Sequence, residues 1–244
     1  MAIIVLNVLA YFLWQRGGLS LGDPSGAHYL TNLADYGAVP YELTHSGAHC
    51  GYAVLPSGYA DAGHFTCHGQ VYPSSQASTW LTPFTAMFMH GGLIHLGGNM
   101  LFLWIFGNNV EDVMGRLRFV VFYVGGGLAA LALQVVVSPS AAVPTIGASG
   151  AIAAVLGGYM LLWPRARVLT IIFIVFFFTI VELPAIIVLG GWIALQVLSV
   201  SIGSMGDTGG VAYFAHIGGF AFGLLLIRLF AQRTKATPPR LPVW

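Results

Sequence analysis

Residues 165–202 read RARVLTIIFIVFFFTIVELPAIIVLGGWIALQVLSVSI, and the number of times this stretch crosses a membrane decides the fold. It is long enough for two thin spans broken at Glu182-Leu183-Pro184, or for one span preceded by an apolar segment that stays on one side. Charge chooses between these readings, because Lys and Arg mark the cytoplasmic ends of spans. Eight of the nine basic residues fall in three groups: Arg116 and Arg118, then Arg165 and Arg167, then Arg228, Arg233, Lys235 and Arg240. All eight share the inner face only if a single crossing lies between residues 168 and 210. That crossing is expected at 184–202, with 168–181 an interfacial or re-entrant segment on the inner side.

The rest of the chain agrees with a membrane setting. Of 244 residues, 57% are hydrophobic and 7% charged, whereas soluble domains carry about 25% charged residues. The fold class expected is therefore all-α, a polytopic membrane protein with a six-transmembrane-helix bundle. The apolar run 1–14, at about 1.5 Å per residue, is short for a hydrocarbon core of about 30 Å. It has no basic n-region and no Ala-x-Ala site, so segment 1–16 is read as a first transmembrane helix with a truncated start. Residues 17–86 form an extracytoplasmic loop rich in Gly, Ser and Pro. Between 17 and 115 every charged side chain is acidic, and Arg16 is the one basic residue left outside. A catalytic-type core over 87–227 holds five further spans, at 87–109, 119–138, 148–163, 184–202 and 211–227. A short basic cytoplasmic tail, 228–244, follows.

The loop contains both cysteines, Cys50 and Cys67, and five of the eight histidines. In an oxidising exterior the two thiols can form one disulfide. The neighbouring His49-Cys50 and Cys67-His68 pairs offer zinc ligands as the alternative. Neither reading supplies catalysis.

Single-crossing parity puts Ser149 and His216 near the outer ends of their helices. Ser149 sits in Gly147-Ala148-Ser149-Gly150, at the start of an apolar helix whose unpaired N–H groups favour an oxyanion. The ordinary alternative is an N-capping serine. His216 precedes Gly219 and Gly223, a G-x-x-x-G face that lets spanning helices nearly touch. Ala153, Ala154, Gly157 and Gly158 offer the facing surface. Close backbones would bring His216 within reach of Ser149, as an activated nucleophile requires. A histidine bonded to a backbone carbonyl, or ligating heme or a metal, is the alternative there. His95 and Asn99, four residues apart on one helix face, can donate hydrogen bonds to a developing oxyanion, each worth about 3 kcal/mol. His90 lies nearer the outer interface. Asp207 falls in a Gly-rich loop and is expected to face water, so the constellation reads as a dyad without an acid.

Taken together, these residues resemble the rhomboid family of intramembrane serine proteases. The resemblance rests on His90-x4-His95-x3-Asn99, Gly107-x3-Glu111-x3-Gly115, Gly147-Ala148-Ser149-Gly150 and Ala215-His216-x2-Gly219-x3-Gly223, in order from about residue 80 to 227. It implies a six-helix core, Ser149 as nucleophile and His216 as general base. The backbone N–H of Ser149, with His95 and Asn99, would form the oxyanion hole. Glu111 would hold the inner end of the second span, a structural role shared with Gly147, Gly150, Gly219 and Gly223.

The implied partners are transmembrane protein substrates and the lipid bilayer, with no nucleic acid, no metal and no organic cofactor. The implied location is the cell membrane, with the site toward the extracytoplasmic side and the C-terminus in the cytoplasm. Residues 204–210 would cap a water-filled cavity, and the span carrying Trp192 would act as a lateral gate. Two departures stand out: Trp80 is followed by Leu81 where many relatives have Arg, and Ala153 stands where some carry a tyrosine stacked on the histidine. The competing functions are an inactive relative that binds membrane-protein clients and a small transporter.

Overall fold

The structure, a computed structural model, describes residues 2–22, 24–55, 57–58, 60–73, 77–174, 177–202 and 211–232. The cap expected at 204–210, which includes Asp207, and the tail beyond residue 232 lie outside the described residues. The molecule is mainly helical, and its centre is one short helix, α8 (Ser149–Leu162). Every residue of α8 from Gly150 to Tyr159 is buried. Alanine and glycine dominate that stretch, which allows the long helices α7 (Arg116–Val137) and α10 (Tyr213–Phe230) to close against it.

The approach of α10 to α8 is at backbone level. A methyl group on Gly219 would collide with the carbonyl oxygen of Gly150, and one on Gly223 with that of Ala154. From the other side, a methyl on Gly157 would collide with the carbonyl oxygen of Phe220. On the α7 side, a methyl on Gly150 would sit 2.6 Å from the Ala130 Cβ. These small-residue seams are how spanning helices gain packing without a hydrophobic driving force between them. Large apolar side chains instead point outward: Leu117, Val136, Leu225 and Leu229 are each more than 70% exposed. A surface of that kind suits lipid. Among the described residues, α7 and α10 are the helices long and apolar enough to cross a bilayer; α8 and α9 (Ala185–Ser201) are apolar but shorter.

Helix α1 (Ala2–Leu9) continues through a π turn at Ala10–Trp14. Gln15, just after it, grips the backbone of His90 with both amide atoms. Its Nε2 donates to the His90 carbonyl at 2.9 Å, and its Oε1 accepts the His90 N–H at 2.9 Å.

The loop is more ordered than its composition suggests, and it corrects the all-α expectation. It contains α2 (Ala27–Tyr36), α3 (Pro40–Thr44) and an antiparallel sheet of β1 (Gly51–Val54), β2 (Ala60–Thr66) and β3 (Val71–Tyr72), in the order β2-β1-β3. Gly51 faces Thr66 across the first strand pair. Cys50 and Cys67 therefore meet just beyond the end of that pair, where their sulfurs are bonded. The zinc alternative needs thiolates that this bond consumes. The loop also ties down the approach to α8: Ala38 and Thr145 exchange backbone hydrogen bonds of 3.3 and 2.8 Å.

The start of the second span differs from the expectation as well. The segment expected to be helical from residue 87 begins with α4 (Thr82–Thr85) and a 3-10 turn at Ala86–Phe88, then breaks. Helix α5 (Leu93–Phe102) starts only after Gly92, whose φ of +130° is strained for any other residue. It runs on through a π turn at Leu103–Gly107 into α6 (Asn108–Met114). His90 thus lies in the break, not on the helix.

The segment expected to be interfacial or re-entrant, 168–181, is an antiparallel hairpin of β4 (Arg167–Ile174) and β5 (Phe177–Pro184). Most of its residues are β-branched or aromatic, which favours strands. Arg167 and Glu182 pair across it at 3.1 Å on the surface, a contact of small energetic weight. Helix α9 begins directly after it.

Candidate active site

Ser149 is the first residue of α8, preceded by a turn that only glycine suits. Gly147 has φ +120°, and its N–H donates to the Ala86 carbonyl at 2.9 Å. A Cβ built on Gly147 would lie 2.8 Å from His95 Nε2 and 3.5 Å from Ser149 Oγ. The missing side chain therefore leaves one small space bordered by both groups. The first N–H groups of α8 have no intrahelical acceptors, and the positive end of the helix dipole points the same way.

His216 is buried on the first turn of α10, one turn before Gly219. Its Nε2 lies 2.9 Å from Ser149 Oγ, and its Nδ1 lies 2.8 Å from Oε1 of Gln196. The glycine seam explains the first distance. Gly219 and Gly150 touch, and the two functional side chains sit on the same sides of their helices, close to that contact.

His95 stands on the first turn of α5. Its Nδ1 accepts the N–H of Gly91 at 3.1 Å. An accepting Nδ1 in a neutral ring leaves the proton on Nε2, the atom facing the space beside Gly147. Asn99, one turn further, is buried, and its amide nitrogen has no hydrogen-bond partner within the described residues. An unpaired buried donor is costly and is ready for an incoming acceptor. His90 is fully buried with its ring 5.2 Å from that of His95. The two rings meet edge to face, at 71°.

Glu111 lies on the first turn of α6, lining a small crevice with Ile3, Ile4 and Phe119, beyond the π turn that separates α6 from the α5 helix of His95. Gly223 and Gly157 continue the seam away from the site. Among the described residues no cluster of three or more His, Cys, Asp or Glu side chains could hold a metal ion.

Two contacts to His216 were not legible beforehand. Gln196 and Trp192, one turn apart on α9, supply respectively the partner of Nδ1 and a ring 5.5 Å from the imidazole at 41°. The tyrosine position of some relatives is filled by Ala153, which is fully buried under Gly219. The aromatic neighbour of the histidine comes from a different helix. The signal available in the sequence was Gln196 itself, an amide in an apolar helix, where polar groups are costly.

Comparison with known proteins places these residues in context. The Rhomboid domain model matches residues 77–233, which include every residue of the site described above. The mitochondrial Rhomboid protein 1 of Saccharomyces cerevisiae is 33% identical over 150 residues, covering 57% of this chain and 38% of the yeast protein. The human mitochondrial presenilin-associated rhomboid-like protein is 29% identical over 163 residues, covering 64% and 40%. The Rhomboid protease GluP of Bacillus subtilis is 37% identical over 81 residues, covering 33% and 15%. The chain thus spans about two fifths or less of the length of these relatives.

Proposed function

The chain belongs to the rhomboid family, and from that premise we propose that it is an intramembrane serine protease acting on the transmembrane segments of other membrane proteins. The observation that carries this reading is the 2.9 Å contact between Ser149 Oγ and His216 Nε2, beside a space that faces hydrogen-bond donors. In the proposed reaction His216 Nε2 takes the Ser149 proton as Oγ attacks the scissile carbonyl carbon. The oxyanion is held by the Ser149 N–H, His95 Nε2–H and the Asn99 amide. The C–N bond then breaks as His216 returns the proton to the leaving amine. Water, deprotonated by the same ring, releases the acyl group and regenerates Ser149. The reaction invokes no metal and no organic cofactor. A helical substrate shields its own peptide bonds, so cleavage is expected next to small or helix-weakening residues.

The proposed organisation is a first transmembrane helix at 1–16, the disulfide-bonded loop 17–86 outside, five further spans within 87–227 and a basic cytoplasmic tail, 228–244. The site then faces the extracytoplasmic side of a cell membrane. The hairpin supports a single crossing between 168 and 210. A two-stranded sheet has unpaired edges that hydrocarbon does not tolerate without cover, so the hairpin belongs at the inner surface and α9 makes the crossing. Helix α8, with 14 residues, spans about 21 Å of an apolar core of about 30 Å. With its C-terminal end at the inner surface, Ser149 is recessed, and water reaches it from outside.

The test is cleavage of a panel of single-span membrane proteins by the purified protein in detergent, with Ser149→Ala and His216→Ala as comparisons. Loss of cleavage in both variants supports the protease. Undiminished cleavage in either variant overturns the assignment. No cleavage by the parent, together with no reaction of Ser149 with a fluorophosphonate, would favour a client-binding relative instead.

A further inference from the structure

We propose that Gln196 is the positioning residue of His216, setting which ring nitrogen carries the proton and thereby making α9 part of the catalytic unit. The inference rests on reading His216 as the base. A neutral imidazole can accept a proton from Ser149 through Nε2 only if its own proton is on Nδ1, and the tautomer is set by the partner that the other nitrogen finds. Here that partner is an amide oxygen. Oε1 of Gln196 is 2.8 Å from Nδ1, and Nε2 of the same amide points back along α9 toward the Trp192 carbonyl at 3.4 Å. The backbone contact holds the amide with its oxygen toward the histidine. An oxygen can only accept, so Nδ1 must donate, which leaves the Nε2 lone pair facing the Ser149 hydroxyl at 2.9 Å. Gln196 does what the acid of a triad does for ring orientation, without a negative charge that the surrounding apolar helices would penalise.

Trp192 completes the arrangement. Its ring packs 5.5 Å from the imidazole and 6.2 Å from that of Phe220, limiting rotation of His216 about its side-chain bonds. Both groups come from α9, whose buried residues are Ala185 and Leu189, near its start. The half of α9 carrying Trp192 and Gln196 is only partly covered by the rest of the chain. A movement of that half away from α10 would remove the acceptor and the ring face together. Rate and α9 position are therefore coupled through one hydrogen bond.

The experiment uses the full chain in detergent micelles with a fluorogenic single-span peptide substrate, and protein labelled with 15N-histidine. The resonances lost in His216→Ala identify His216. In the parent, Nδ1 of His216 is expected to carry the proton. In Gln196→Leu the proton redistributes toward Nε2, kcat falls by about 10- to 100-fold, KM stays within about twofold, and thermal unfolding is little changed. Gln196→Glu, which keeps an acceptor oxygen at the same reach in either protonation state, restores most of the lost rate and the parental tautomer.

A parental tautomer and kcat in Gln196→Leu would overturn the proposal. So would a rate loss accompanied by lower thermal stability with the tautomer unchanged, since that describes a merely structural residue. The tautomer is read without turnover. A failure of Ser149 as nucleophile, seen as cleavage by Ser149→Ala, is thus distinguishable from a failure of Gln196 as the positioning group.

Discussion

Gly219 of α10 rests on Gly150 of α8 so closely that a single methyl on the former would overlap the carbonyl oxygen of the latter. Ser149 is one residue before Gly150, and His216 is three residues before Gly219. Their 2.9 Å separation, across 67 residues of sequence, is thus a consequence of two absent side chains. What the seam permits, a larger residue removes.

Gly219→Val is expected to force α10 off α8. Overpacking a tight interface typically costs about 1–3 kcal/mol, and here the obstacle is backbone, which yields poorly. Thermal unfolding in detergent should fall, and cleavage should drop by more than about 100-fold through lost dyad geometry. A variant with parental activity would show that the dyad does not depend on this contact.

Gly147→Ala tests the space beside Ser149. The φ of +120° strains any residue with a Cβ, and the new carbon would press on His95 Nε2. A substrate carbonyl would then find its place occupied. Steady-state kinetics should record a fall in kcat of about 100-fold, larger than the effect of the same change at Gly97, where an added Cβ meets nothing within 4 Å.

His95→Ala and Asn99→Ala each remove one of the proposed oxyanion donors. Each loss should cost about 3 kcal/mol of transition-state stabilisation, roughly 100-fold in kcat with KM little altered. For Asn99 a stability gain is expected alongside, since a buried amide nitrogen without a partner is removed. Thermal unfolding of Asn99→Ala measured beside His95→Ala checks that difference.

Cys50→Ala should release the end of the β1–β2 pair. With the bonded positions 17 apart in the chain, chain entropy accounts for about 3 kcal/mol of loop stabilisation. Mass measurement of alkylated protein with and without reductant should reveal two protected thiols in the parent. The variant loop should be cut faster by added protease, with the dyad chemistry retained at low temperature.

Much of the molecule was legible because its signals are local. An apolar composition and grouped arginines point to a membrane setting whatever the tertiary arrangement. The four short motifs single out Ser149, His216, His95 and Asn99 by residue type and spacing alone. The second span starts later than expected because apolar residues continue through 86–89, while the chain is already out of α-helix there and α5 begins only after Gly92, with its φ of +130°. Strand structure at 167–184 was missed because a continuous apolar run reads alike as buried strand or helix. In the loop, a polar composition concealed a small sheet that pairs residues 6 to 20 positions apart.

Sequence alone determined the solvent this protein prefers and the chemical groups it has available, since hydropathy, charge and side-chain type belong to each residue regardless of its neighbours. Only the tertiary structure decided which groups meet. Gln196 and Trp192 acquire their meaning from lying across from His216, and that alignment arises from how closely α8, α9 and α10 can pack, a property of the helices jointly and of no single segment.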